Sequence, residues 1–211
     1  MVNPLSAGRP GKQAPPGWRW LRLTDLARLE TGHTPSRSHP EWWGGPIPGI
    51  SLADIRDLDG KVAQDTLEST NEQGIENSSA RLLPEGTVVL SRTASVGFVT
   101  IMGRPMATSQ DFVNWVCRPE LSPHFLAYLL RGSRAYIRSL SSGAIHQTVY
   151  MPTVESLFVS VPPLAKQREI SEALSEQLAT VERARAAAEA RLEAIDALPA
   201  ALLRRAFSGD L

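Results

Sequence analysis

From Leu164 to Leu198 the chain has neither glycine nor proline, and Ala, Glu, Arg and Leu dominate. Leu174, Val181, Ala188 and Ile195 recur every seven residues, and Leu202 continues the series. Leu178, Arg185 and Leu192 fall between them. This is an a/d seam held over roughly four heptads, the pattern of a coiled-coil helix. Over 163–198 such a helix is about 50 Å long at roughly 1.5 Å per residue. A domain this small cannot cover one apolar stripe along that whole length. A second helix is therefore the expected cover, with Leu174, Leu178, Val181, Ala188, Leu192 and Ile195 as the mating residues. The alternative is a helix folded back on its own domain, since amphipathic helices commonly face a core. Ala188 and Arg185 weaken the middle of the seam, where paired helices can approach closely.

The preceding residues read differently. Residues 1–17 are rich in Pro, Gly and polar side chains and have no apolar core, so a disordered leader is expected. A half-buried strand is expected from Trp18 to Leu23, followed by a short helix over 25–29 with Thr24 as its cap. Residues 30–48 hold four prolines and three glycines and are expected to be irregular. Trp42 and Trp43 in that loop either pin it to the core or face a ligand. A polar helix over 70–79 is expected to be interrupted at Gly74. The β-branched run Thr87–Ser91 and the segments 97–101, 106–108, 111–116 and 157–161 read as strands. Ser122 caps a helix over 123–130, with Pro123 at its first position, and a second amphipathic stretch covers 133–140. The fold class is thus α+β: a mixed α/β domain over 18–162, one long helix over 163–198, and a tail over 199–211.

Common catalytic constellations are missing. The chain has no Walker phosphate loop, no GxGxxG and no GxSxG elbow. Its four histidines lack metal-ligand spacing, and its single cysteine, Cys117, cannot form an internal disulfide or a cysteine-based zinc site. Asp54, Asp57 and Asp59 read as a solvated loop. The sequence predicts no enzyme, no metal and no bound cofactor. No run of about 18 apolar residues suggests a membrane span, so the cytoplasm is the expected location. Formal net charge is +0, with 22 Lys+Arg against 22 Asp+Glu. Indiscriminate nucleic-acid binding is disfavoured, because it relies on a positive excess. A local basic face remains open.

Several ordered segments carry a resemblance. Gly32-His33-Thr34-Pro35-Ser36 precedes Glu41-Trp42-Trp43-Gly44-Gly45 and Ile47-Pro48. Gly74-Ile75 and Asn77-Ser78-Ser79-Ala80-Arg81-Leu82-Leu83-Pro84 lead to Gly86-Thr87-Val88. Ser91-Arg92-Thr93-Ala94-Ser95-Val96-Gly97, then Ala107-Thr108-Ser109-Gln110-Asp111-Phe112, follow. Ser142-Gly143-Ala144 and Gln147 precede Val161-Pro162-Pro163-Leu164-Ala165-Lys166-Gln167-Arg168-Glu169-Ile170. Leu202-Leu203-Arg204-Arg205-Ala206-Phe207-Ser208-Gly209-Asp210-Leu211 closes the chain. Together these resemble the specificity subunit of type I restriction–modification enzymes over nearly the whole chain. Lys166 stands where a glutamate is common, and His146 interrupts the usual spacing before Gln147. Residues 57–69 fall where the family varies to change target.

The resemblance implies a non-catalytic, DNA-reading target-recognition domain. Family members usually carry two such domains and two long helices, and this chain has one of each. It therefore resembles a half-subunit that pairs with a second copy of itself or another half. Implied partners are double-stranded DNA, a DNA methyltransferase subunit bringing S-adenosylmethionine to methylate adenine, and a restriction subunit bringing ATP-driven cleavage. Neither cofactor is expected on this chain. Base reading needs forked donors and acceptors on loops. The candidates are Arg37, Arg81, Arg92, Gln110, Asn114, His146 and Gln147. Ser36, Ser91, Thr93 and Ser95 are candidates for phosphate or base-edge contacts. Gly32, Gly97 and Gly143 are expected to serve backbone geometry. A helical protein-interaction adaptor without a DNA role is the alternative.

Overall fold

The computed structural model describes residues 3–143 and 147–208, so His146 lies outside the described residues. The chain divides into two units, the first running to Arg168 and the second starting at Glu169. The first unit opens with β1 (Leu5–Ala7), β2 (Arg19–Arg22), α1 (Leu23–Leu26) and β3 (Ala27–Thr31). A 3-10 turn (Pro40–Trp42) leads to β4 (Trp43–Ile50), α2 (Ile55–Leu58), β5 (Val62–Ala63), β6 (Ser69–Thr70) and α3 (Glu72–Glu76). Then come β7 (Val88–Ser91), β8 (Val99–Met102), β9 (Ala107–Thr108) and β10 (Phe112–Cys117). The unit closes with α4 (Pro123–Gly132), α5 (Arg134–Ser139), α6 (Met151–Glu155) and β11 (Leu157–Val161), before the long helix α7 (Leu164–Ser208) begins.

The central sheet has the order β3-β10-β7-β8-β5. Its middle strands are the β-branched runs, and every residue of β7 and β8 is buried. Such runs suit a strand covered on both faces. β10 pairs antiparallel with β7, setting Asn114 against Val89, and with β3, setting Asn114 against Glu30. One core cluster gathers Ile50, Ile55, Val89, Met102, Met106 and Phe112. α4 packs on β7 and β8. Its start is fixed as the sequence predicts: the Ser122 hydroxyl accepts from the Phe125 N–H at 3.4 Å, and Pro123 fills the first turn. Two three-stranded sheets flank the central one, in the orders β1-β11-β2 and β6-β4-β9. Among the described residues no helix is long and apolar enough to cross a membrane.

Several local expectations are corrected. The leader is not wholly disordered: Leu5 is buried, and Leu5–Ala7 pairs antiparallel with Leu157–Val159. The ladder on β11 orders a segment with no local signal of its own. The helix expected over 25–29 is instead a single turn ending at Leu26, because Ala27–Thr31 is claimed by β10 as an edge strand. The loop expected over 30–48 becomes strand at Trp43, with a register shift against β6 between Trp43 and Ile47. Gly74 does not interrupt α3. A Cβ there would sit 2.2 Å from Thr70 Oγ1, so the glycine allows close packing. The 157–161, 123–130 and 133–140 expectations match β11, α4 and α5.

α7 has 45 residues, about 68 Å at roughly 1.5 Å per residue. It runs through Pro199 to Ser208 rather than stopping at 198. Proline removes the donor to the Ile195 carbonyl and crowds that carbonyl with its ring, a cost of about 3 kcal/mol that the continuing helix carries. Within this helix Val181 and Ile195 are exposed at 58% and 54%, and Leu178 and Leu192 are exposed as well. Ala188 is also exposed and Leu174 is half-buried. Arg185 pairs with Glu189 one turn on, at 2.9 Å.

Candidate nucleic-acid interface

Four loops come together beside the central sheet. Gly32 starts the first. A Cβ there would lie 2.1 Å from both the Ser109 carbonyl oxygen and Thr108 Oγ1. Only a hydrogen fits, and the loop after β3 therefore lies against the β9–β10 turn. Two residues on, Thr34 Oγ1 donates to Gln110 Oε1 at 3.1 Å. The Gln110 carbonyl in turn accepts from the Arg92 guanidinium at 3.0 Å. The Arg92 backbone carbonyl accepts from the Val149 N–H at 2.9 Å, and the Ala94 N–H donates to the Gln147 carbonyl at 3.1 Å. Thr148 Oγ1 lies 3.4 Å from Thr93 Oγ1, and Ser141 Oγ lies 3.4 Å from Gln147 Oε1.

These contacts join Thr34, Gln110, Arg92, Thr93 and Gln147 into one tract. Gln110 and Gln147 are exposed, while Thr34, Arg92 and Thr93 are half-buried. Ala94, inside the tract, has φ 58 and is the one non-glycine residue with positive φ among the described residues. A left-handed residue with a Cβ costs on the order of 1–3 kcal/mol, and such strain concentrates at functional sites. Its neighbour Gly97, at φ 88, could not carry a side chain, since a Cβ would meet Arg134 Cγ at 2.8 Å.

Arg37 extends the tract on the first loop. Its guanidinium donates to both Glu68 carboxylate oxygens, at 2.8 and 2.5 Å, and lies 4.0 Å above the Trp43 ring centroid. The Trp43 indole N–H donates to the Ser36 carbonyl at 3.2 Å. Trp42 stacks on His39 with centroids 4.0 Å apart. Both tryptophans therefore hold their own loop in shape. The hydrogen bond from Arg37 holds the Glu68 carboxyl below its ordinary range, and Glu68 in turn raises Arg37. The two stay ionised across the neutral range. Beside them lies a small open cleft walled by Thr34, Arg37, Trp43, Ser51, Glu68 and Thr108.

Of the remaining candidates, two are corrected outright by their burial. Asn114 is 0% exposed in the middle of β10, where its amide donates to Thr108 Oγ1 at 2.9 Å. Ser91 is 0% exposed at the end of β7 and donates to the Thr93 carbonyl at 3.2 Å. Neither can reach a duplex without opening the sheet. Ser95 is buried. Arg81 is exposed, but it donates to the buried Glu30 carboxylate at 2.6 Å, which Arg28 also engages. Ser36 is exposed and shares a hydrogen bond of 2.7 Å with Ser38.

Asp57 is exposed, as a solvated loop requires, but Asp54 and Asp59 are not part of such a loop. Asp54 is buried and accepts from Ser51 N, Ser51 Oγ and Leu67 N. Asp59 accepts from the Val99 N–H at 2.9 Å and from the Arg134 guanidinium at 2.6 Å. They brace the turn around α2. Among the described residues no group of His, Cys, Asp and Glu is arranged to hold a metal ion. Sequence reasoning missed Glu68, Thr34 and the support Trp43 gives Arg37. The partners lie up to 76 residues apart, and no local signal couples them.

Comparison with known proteins gives consistent matches. The family model described as type I restriction modification DNA specificity domain matches residues 15–193. The type I restriction enzyme MjaIX specificity subunit of Methanocaldococcus jannaschii is 26% identical over 163 residues, covering 76% of this chain and 38% of the relative. The HindI specificity subunit of Haemophilus influenzae is 27% identical over 158 residues, covering 74% of this chain and 33% of the relative. Among solved structures, the HsdS subunit of Thermoanaerobacter tengcongensis superposes with TM-score 0.65 at 27% identity. A chain from a study of complex assembly in the type I R-M system gives TM-score 0.72 at 25% identity. Each covers 96% of this chain, which covers 48% of theirs. The chain thus spans about a third to a half of the length of these relatives.

Proposed function

The chain belongs to the type I restriction modification DNA specificity family, and on that premise we propose that it reads one half of a split DNA target as a half-length specificity subunit. The observation that carries the reading is the four-loop tract. Gln110 and Gln147 offer exposed amides and Arg37 an exposed guanidinium on one surface, with the half-buried Arg92 guanidinium bound to the Gln110 carbonyl beside them. Amides and guanidinium forks are the side chains whose geometry matches adenine and guanine edges in the major groove. Ser36 and Thr93 supply hydroxyls for phosphates beside them.

In this account the head comprises residues up to Pro162 and the helix is the spacer. The a/d seam mates with the seam of a second copy, antiparallel, through Leu174, Leu178, Val181, Ala188, Leu192 and Ile195. Pairing along the helix, roughly 50–70 Å at about 1.5 Å per residue, sets two heads about one and a half to two turns of B-DNA apart, at about 34 Å per turn. Two identical heads about a twofold axis read an inverted repeat with a fixed gap. The chain performs no chemistry itself. A methyltransferase subunit supplies S-adenosylmethionine and modifies adenine, a restriction subunit supplies ATP-driven cleavage, and the complex acts on DNA in the cytoplasm.

A mobility-shift assay at moderate salt, with and without the methyltransferase subunit, tests the reading. Retention of one sequence class over shuffled duplex is expected. Equal retention of all sequences, or none, in both arms would return the helical adaptor as the better account.

A further inference from the structure

We infer that Glu68 is a specificity-determining residue: its carboxylate occupies the Arg37 fork in the free protein and yields it only to a planar, two-pronged acceptor on duplex DNA. This rests on the DNA-reading function proposed above. The acceptor is the O6/N7 edge of guanine, which presents two acceptors in one plane as a carboxylate does.

Three observations carry the inference. First, the pair is bidentate, at 2.8 and 2.5 Å, yet both side chains are open to water, at 62% and 43% exposure. Exposed ion pairs contribute little to stability, so this one can be exchanged readily. Second, the plane of the guanidinium does not depend on Glu68. Arg37 lies 4.0 Å over Trp43, which is tethered to the Ser36 carbonyl at 3.2 Å. The fork remains aimed when the carboxylate leaves. Third, Glu68 cannot withdraw far. Its backbone carbonyl accepts from Thr66 Oγ1 at 2.6 Å and from the Gly49 N–H at 3.0 Å. After exchange the carboxylate, on an anchored backbone, stays within a side chain's length of the bound duplex. A duplex without the right acceptor meets that charge and gains nothing from Arg37. Rejection of wrong sequences is thereby built in as a repulsive element.

The test uses the full chain with Glu68→Gln, Arg37→Ala and the double variant. Affinity is measured for a duplex selected by the wild type and for its shuffled counterpart, over a range of salt. Glu68→Gln is expected to tighten shuffled-duplex binding about three- to tenfold, and to steepen its log K against log salt slope by about one. The selected duplex gains less, so discrimination falls. With Arg37→Ala present, the Glu68→Gln gain shrinks below about twofold. A loss in Arg37→Ala confined to the selected duplex supports the exchange, and a uniform loss, which a sequence-independent phosphate contact would give, overturns it. Unchanged discrimination in Glu68→Gln overturns the inference, as does a gain that persists without Arg37. A wild-type chain that binds no duplex removes the DNA-reading function itself.

Discussion

Gln167, in the first turn of α7, accepts the Ser122 backbone N–H on its side-chain oxygen at 2.9 Å, at the residue that caps α4. Its amide nitrogen donates to the Glu120 and Pro162 carbonyls, each at 3.0 Å. One side chain, 1% exposed, thus satisfies three backbone groups where the α4 cap, the end of β11 and the start of α7 meet. Gln167→Ala would leave those groups without their partner. The expected loss is about 2–4 kcal/mol, or a fall in Tm of roughly 5–12 °C for a chain of this size. Thermal unfolding followed by circular dichroism measures it, and a change below about 1 °C would mean the joint is redundant.

Asn114 and Gln110, four residues apart, fall on opposite sides of the line between core and surface. Asn114 is closed inside the sheet against Thr108, whereas Gln110 is exposed on the tract. Asn114→Ala is expected to cost about 1–2 kcal/mol of stability while leaving the selected DNA sequence unchanged. Gln110→Ala is expected to alter stability by less than about 0.5 kcal/mol and to relax the sequence preference at one position. Urea unfolding and sequence selection on both variants check the pair of outcomes.

Burial pushes the Cys117 thiol up from 9.0 to about 12. Thiolate is the reacting species, so near pH 8 the folded chain should react with an aromatic disulfide reagent on the order of a thousandfold more slowly than the unfolded chain. The linkage has a definite sign. A raised pKa contributes stability that is fully present below the unfolded value. As pH rises from about 9 towards 12, the unfolded chain releases the proton first and the contribution is lost. Cys117→Ser should remove that alkaline loss, as urea midpoints across the range would reveal.

Ile195 and Val181 lie exposed on α7. If the seam is a mating surface, Ile195→Asp buries a carboxylate in each interface and should weaken self-association by a hundredfold or more, taking roughly 3 kcal/mol per interface. Sedimentation equilibrium reads the change directly. A head that stays folded, with an unchanged near-ultraviolet spectrum, assigns the loss to the helix.

The parts of this fold that were legible are those whose signal is local. Thr87-Val88-Val89 is β-branched and leads into a buried strand, and Ser122-Pro123 starts a helix where the cap rule puts it. The misreadings are cases where a distant partner decides. Ala27–Thr31 follows a helical turn but is drawn into β10, and Leu5–Ala7 becomes strand only because β11 offers an edge. The surface was half legible for the same reason. Gln110 and Arg92 sit in recognisable loops, while the Arg37–Glu68 link joins residues 31 apart and has no local trace. Asn114 was misassigned because an amide on a strand looks alike whether its strand is central or at an edge.

A two-part target requires two heads held at a set distance by paired helices. Hydroxyl-radical footprinting of the chain on DNA selected from a random pool measures that arrangement. Two short protected tracts of the same sequence in opposite orientation, with one invariant gap between them, are the predicted outcome. A single continuous, asymmetric tract, or tracts whose gap varies among the selected molecules, would contradict it.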